Sequence, residues 1–133
     1  MTPQSPEACM AAFEAAIGRR DLDAAMALLT DDVAFFYSNG SAHWSRDAIR
    51  AAIQANFDTI DRDNYTTREH IWLAQADGAA ACIYSFSWSG LVDGKEVGGR
   101  GRGTTLFRRK PEGWRIAHEH LSNGRWKPPQ ASS

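Results

Sequence analysis

The sequence predicts an α+β domain in which three helices lie on one side of a curved, mostly antiparallel sheet that encloses a pocket. Three observations carry this. Apolar residues recur at helical spacing in three segments before Asp61, and runs rich in β-branched and aromatic residues, separated by turn signals, fill most of the chain from Tyr65 to Ser122. The composition, 43% hydrophobic and 23% charged over 133 residues, suits one ordinary globular core that closes without disulfides or a structural metal.

From Glu7 to Gly18, Met10, Phe13 and Ile17 form one stripe and Gly18 suits a helix stop. Asp21 caps a second helix whose Leu22, Ala25, Met26 and Leu29 share a face, and Thr30-Asp31-Asp32 is expected to break it. Val33 to Ser38 reads as a short strand followed by an Asn39-Gly40 turn. Ser45 caps the third helix, whose Ile49, Ile53, Phe57 and Ile60 fall on one side, so that this face must cover something. Four antiparallel strands are expected next, over Tyr65 to Ala74, Ala79 to Leu91, Glu96 to Arg109 and Trp114 to Ser122. Turns at Asp77-Gly78, Asp93-Gly94 and Lys110 to Gly113 separate them, and a polar tail, Asn123 to Ser133, closes the chain. An apolar sheet face roofed by three helices leaves a cavity.

Bulk properties narrow the partners. Fifteen basic and sixteen acidic side chains give a net charge of −1, so no global field favours nucleic acid or anionic lipid. Cys9 and Cys82 sit in apolar surroundings outside any CxxC or Cys/His spacing and read as reduced core residues. Neither a secretory leader nor an apolar run of roughly 20 residues is present, so a soluble cytoplasmic protein is expected.

The run from Arg20-Asp21-Leu22-Asp23 through Asp31-Asp32-Val33, taken with the element order, resembles the opening of nuclear transport factor 2-like proteins. Gly113-Trp114-Arg115-Ile116-Ala117-His118-Glu119-His120-Leu121-Ser122 resembles the last strand of polyketide-cyclase-like (SnoaL-like) members and of the calcium/calmodulin-dependent kinase association domain. The resemblance covers roughly Glu7 to Ser122 and implies a cystatin-like cone as one domain. It implies no single reaction, because the fold hosts isomerases, dehydratases, cyclases, hydrolases and non-catalytic assembly domains. Ketosteroid isomerases of this superfamily carry a Tyr on the first helix, an Asp ending the first strand and an Asp on the penultimate strand. Those places fall here on Phe13, Tyr37 and Thr105, so steroid isomerisation by that route is not implied.

His118 and His120 are two apart on a strand and share a face, while Glu119 points to the other. Two imidazoles could act as acid and base on a ligand or hold part of a metal shell, or they could be satisfied within a sheet face or dimer interface. Arg100 and Arg102 alternate with Gly99, Gly101 and Gly103, giving one guanidinium face, either a ligand anchor or a solvated edge, and one bare face that permits close approach. The register of the last hairpin decides what meets what. One pairing groups Thr105 with Ala117, Glu119 and Leu121 and sets Arg102 beside His118 and His120. The other groups Thr105 with Ile116 and His118. The kinase association domain resemblance favours the first pairing, which can turn the Thr105 face, rather than the histidines, toward the cavity.

Tyr84, Phe86 and Trp88 alternate along one face and read as core or interface, whereas Tyr37 and Trp44 flank the turn where the resemblance places the pocket mouth. His118, His120 and Tyr37 are thus the candidate catalytic residues, and Trp44, Arg102 and Thr105 the candidate substrate contacts. The expected ligand is a small, mostly apolar or acidic organic molecule handled by proton transfer without a cofactor or metal, in a homodimer formed through the sheet. The alternative is a non-catalytic dimerisation or accessory domain with a vestigial pocket.

Overall fold

A computed structural model of the protein describes residues 2–124, leaving aside the side chains of residues 62 and 63. The elements run α1 (Pro6–Gly18), α2 (Leu22–Met26), β1 (Leu29–Phe36), β2 (Ala42–His43), α3 (Arg46–Thr59), β3 (Asp61–Gln75), β4 (Ala79–Val92), β5 (Lys95–Lys110) and β6 (Gly113–Asn123). One six-stranded sheet has the order β2-β1-β6-β5-β4-β3, antiparallel throughout except for the β1/β6 pair. Beyond Gly124 the expected polar tail lies outside the described residues.

Each helix begins where a side chain satisfies an orphan backbone N–H. Ser5, Asp21 and Ser45 accept from the amides of Ala8, Ala24 and Ala48 at 3.0, 3.1 and 3.1 Å. Arg20, in a left-handed conformation at φ 60°, ties the helices into one roof. Its guanidinium donates to the carbonyls of Phe57 and Ile60 at the end of α3 and lies 4.8 Å from the centre of the Phe57 ring.

Besides β3, which begins at Asp61 rather than at Tyr65, two features differ from the sequence reading. Thr30-Asp31-Asp32 belongs to β1, not to a helix stop, because Leu29 already pairs with Ile116 of β6 and Arg108 holds both Asp32 oxygens at 2.8 Å. That contact, with a further bond from Thr30, keeps the Asp32 carboxyl below its ordinary range. The second difference is β2, two residues that pair back onto β1 and add a sixth strand.

The decisive local feature is a one-residue irregularity in the β5/β6 ladder. Phe107 pairs with Ile116, but Leu106 pairs with His118, so Ala117 is an extra residue. Inward facing therefore passes from Ile116 to Ala117, Glu119 and Leu121, and His118 and His120 turn outward. On β4, the inward Tyr84 and Phe86 pair with Gly103 and Gly101. Their rings lie across the bare glycine backbone: a methyl on Gly103 would come within 2.5 Å of the Tyr84 ring, and one on Gly101 would overlap the Ser122 carbonyl. The close approach anticipated for this glycine face is made by the neighbouring strand's own aromatic rings. No helix among the described residues is long and apolar enough to cross a membrane.

Gly103→Ala is expected to lower stability by about 1–3 kcal/mol through overpacking, read as a fall in the urea midpoint. Gly18→Ala, with nothing within 4 Å of the added methyl, should be neutral or slightly stabilising. Equal effects at the two positions would contradict the packing of Tyr84 on Gly103.

Candidate functional site

Between the helix roof and the concave sheet face lies a pocket of about 250 Å³, at the small end of ligand sites. Its walls are Phe13 and Ile17 of α1, Ile53 and Phe57 of α3, and Phe86, Trp88 and Leu121 of the sheet. Ser38 and the exposed Asn39 and Asn56 bring polar groups to it, and Tyr37, Tyr65 and Glu119 bring the ionisable ones.

Glu119 is the centre of the site. It is 5% exposed on a sheet face otherwise built of aromatic and aliphatic groups, and it pairs across the ladder with Thr105, which is 2% exposed. Thr105 and Tyr84 share a hydrogen bond of 2.8 Å, and the Tyr84 hydroxyl donates to the Glu119 carboxylate at 3.2 Å. One hydroxyl has one proton, so Thr105 donates to Tyr84 and Tyr84 to Glu119. Burial pushes the Glu119 carboxyl up to about 7, with the Tyr84 bond acting in the opposite direction. A carboxyl poised there can give and take a proton near neutrality.

The surrounding phenols stay protonated. Burial, then the Glu119 charge, raises Tyr37 and Tyr84; burial and the neighbouring Tyr84 and Glu119 raise Tyr65. Tyr37 thus offers the pocket a neutral O–H donor. Among the described residues lining the pocket there is no Lys, Arg or His.

The structure divides the candidate site residues between the two faces of the sheet, and keeps Arg102 and His120 together at an outer depression. Tyr37 borders the main pocket and Thr105 stands behind it next to Glu119, both on the cavity side. His118 and His120 are on the outer face because the extra residue at Ala117 reverses the facing that Trp114 and Ile116 establish, and Arg102 is there because it alternates on β5 with the inward Gly101 and Gly103. His118 donates from Nδ1 to the Ala34 carbonyl at 2.7 Å, and Phe36 packs edge-on against His118, His120 and Trp44 at centroid distances of 4.9, 5.3 and 5.1 Å. Trp44 is 70% exposed and does not line the pocket. A ligand held against Glu119 therefore meets neither histidine, nor Trp44, nor Arg102. The acid that sequence reasoning passed over was Glu119, and its only signal was the first of the two pairings, which sets it beside Thr105.

Linkage to stability follows from the sign of the shift. The folded value of about 7 lies above the ordinary 4.5, so the folded state binds this proton more tightly than the unfolded one. Both states are protonated below 4.5; above it the unfolded carboxyl ionises first, so stability falls as pH rises and the loss is complete once pH passes the folded value of about 7. Glu119→Gln removes that cost. Relative to wild type it should gain on the order of 3 kcal/mol between about pH 4 and about pH 8, measured by urea unfolding across pH; a difference that stays flat over this range contradicts the raised value.

The model of the SnoaL-like domain matches residues 7–125. Among solved structures, the chain is similar to a protein of Novosphingobium aromaticivorans named as a candidate aromatic ring hydroxylase, with TM-score 0.82 and 20% identity over 90% of this chain and 86% of that one. It is similar also to a candidate calcium/calmodulin-dependent protein kinase type II association domain of Thiobacillus denitrificans, at 0.80 and 25% over 90% or more of both chains, 94% and 99%. A third is a ketosteroid isomerase-like protein of Erwinia carotovora, at 0.75 and 20% over 90% and 93%. A search of curated proteins finds no match. With a family match over nearly the whole chain, this chain belongs to the SnoaL-like domain family, and its cone of helices on a curved sheet is the fold of solved nuclear transport factor 2-like proteins.

Proposed function

We propose that the pocket takes up a small, largely apolar, uncharged organic molecule bearing a carbonyl group, and that Glu119 moves a proton on it. The observation that supports this is one carboxyl, buried among aromatic walls and poised near neutrality, facing the space where a ligand fits. Ionised Glu119 takes a proton from the carbon next to the carbonyl, electrons move onto the carbonyl oxygen, and Tyr37 donates a hydrogen bond to that developing negative charge. Protonated Glu119 then returns the proton to another atom of the ligand. Isomerisation, dehydration and cyclisation are all built from such steps, and none needs a cofactor.

An acidic ligand, anticipated from Arg102, is disfavoured at this pocket, because a carboxylate would face Glu119 with no lining cation among the described residues. A second reading, a non-catalytic accessory domain that assembles through the outer sheet face, draws on the exposed Trp44, Leu73 and Leu106. Homodimer formation through that face is compatible with both.

Proton transfer as a class can be read without the natural substrate, by following deuterium entry next to the carbonyl of small cyclic and aromatic ketones by NMR in D2O. Wild type should accelerate exchange at neutral pH. Glu119→Gln should slow it by roughly 10²–10⁴-fold, the contribution of a positioned acid-base group, and Tyr37→Phe by less, while His118→Gln with His120→Gln leaves it unchanged. A wild type that exchanges no ketone yet elutes as a dimer favours the accessory-domain reading.

A further inference from the structure

Behind Glu119, on the α1 side, lies a second and much smaller hollow. Its oxygen-bearing lining is Glu14, Tyr65, Thr67, Tyr84, Thr105 and Glu119. Its volume is about 10 Å³, at the lower limit of what one water needs. The Tyr65 hydroxyl is buried beside that of Tyr84, and no protein group among the described residues meets it at full hydrogen-bond geometry; such an oxygen is costly unless something bonds it. The Glu119 carboxyl, which receives a bond from Tyr84, also borders the hollow.

Glu14 connects this hollow to the surface. Together with Thr67 it also lines an outer depression of about 140 Å³ shared with Glu7, His70 and Trp72. It accepts a hydrogen bond from the Thr67 backbone N–H, while the Thr67 hydroxyl is bonded to Nε2 of the exposed His70 at 2.8 Å. Two carboxyl groups thus border one water-sized space, one facing the ligand pocket and the other facing solvent.

We propose that the hollow is a water site, and that through its water Glu119 exchanges its proton with Glu14, and so with solvent beside His70, without passing the ligand. The groups facing this path are Glu119, Tyr65, Tyr84 and Glu14 in the hollow, and Glu7 and His70 in the outer depression. The water accepts a proton from the Glu119 carboxyl as it passes one of its own to the Glu14 carboxylate. Glu119 ends ionised, Glu14 protonated and the water intact, after which Glu14 releases its proton to solvent. Such a back door lets Glu119 reset its protonation state while a ligand fills the front, and it rests on the reading of Glu119 as the proton carrier.

A high-resolution crystal structure of the full chain should show one ordered water within hydrogen-bond distance of the Tyr65 hydroxyl, and Tyr65→Phe should lose it. The kinetic arm follows the carboxylic-acid C=O stretch of Glu119 by infrared after mixing into D2O, below the pH of its titration, the band being assigned by its loss in Glu119→Gln. Glu14→Gln keeps the shape and the acceptor for Thr67 but cannot take the proton. It should slow deuteration of Glu119 by roughly 10²-fold, the low end of what one proton-transfer group contributes. An empty hollow overturns the water site, and unchanged deuteration in Glu14→Gln overturns the relay. If instead Glu119→Gln keeps full ketone exchange while the water and the slowed deuteration are both found, the catalytic reading falls and the path stands.

Discussion

A carboxyl group held in a hollow of aromatic rings is the constraint around which the molecule is organised. Water would stabilise the charge of Glu119 far better than its surroundings do, so the fold keeps the group near the point where it is neutral. Everything close to it serves that balance. Among the described residues Tyr84 is the one side chain that bonds it, Thr105 orients Tyr84, and glycine at 103 leaves room for the Tyr84 ring to lie flat enough to reach. The helices supply apolar walls from Phe13, Ile17, Ile53 and Phe57 and the Arg20 clamp that keeps α3 over the sheet.

On the proposed reading, this arrangement gives up stability for proton transfer. A Gln at 119 would satisfy Tyr84 as an acceptor without ever burying a charge, yet could not carry a proton. Local rules are broken at the same place: the extra residue at Ala117 interrupts the ladder, and the Tyr65 hydroxyl meets no described protein group at full hydrogen-bond geometry. Departures from ideal packing that gather around one titratable group mark a site rather than a defect. The outer face carries a different character, with His118 and His120 set edge-on against Phe36 in an aromatic cluster whose imidazoles are structural neighbours of β1.

Much of the fold was legible in the sequence. Capping residues Asp21 and Ser45, the stripe of Ile49, Ile53 and Phe57, and the Asp77-Gly78 and Asp93-Gly94 turns are local signals, and each element they delimit is present. Resemblance of the opening run and of the last strand pointed to the SnoaL-like family and to its cone-shaped fold. The facing of β6 was harder to read. Trp114 and Ile116 mark an inward face by alternation, and extending that alternation points His118 and His120 inward and Glu119 outward. A single inserted residue inverts the outcome, and nothing in the type of Ala117 announces it, because a bulge is set by pairing with a strand elsewhere in the chain. Likewise Trp44 looked like a pocket residue from its place beside a turn, but β2 carries it to the outside, against Phe36.

The protonation of Glu119 itself is the most direct test. Carbon-13 NMR of the side-chain carboxyl in labelled protein, with the resonance assigned by its disappearance in Glu119→Gln, follows this one group through its titration. A midpoint near 7, well above the ordinary 4.5, places a neutral acid in the pocket at slightly acidic pH and a base just above neutrality. A midpoint at the ordinary carboxylate value would mean that water reaches Glu119 freely, and the buried proton carrier would not exist.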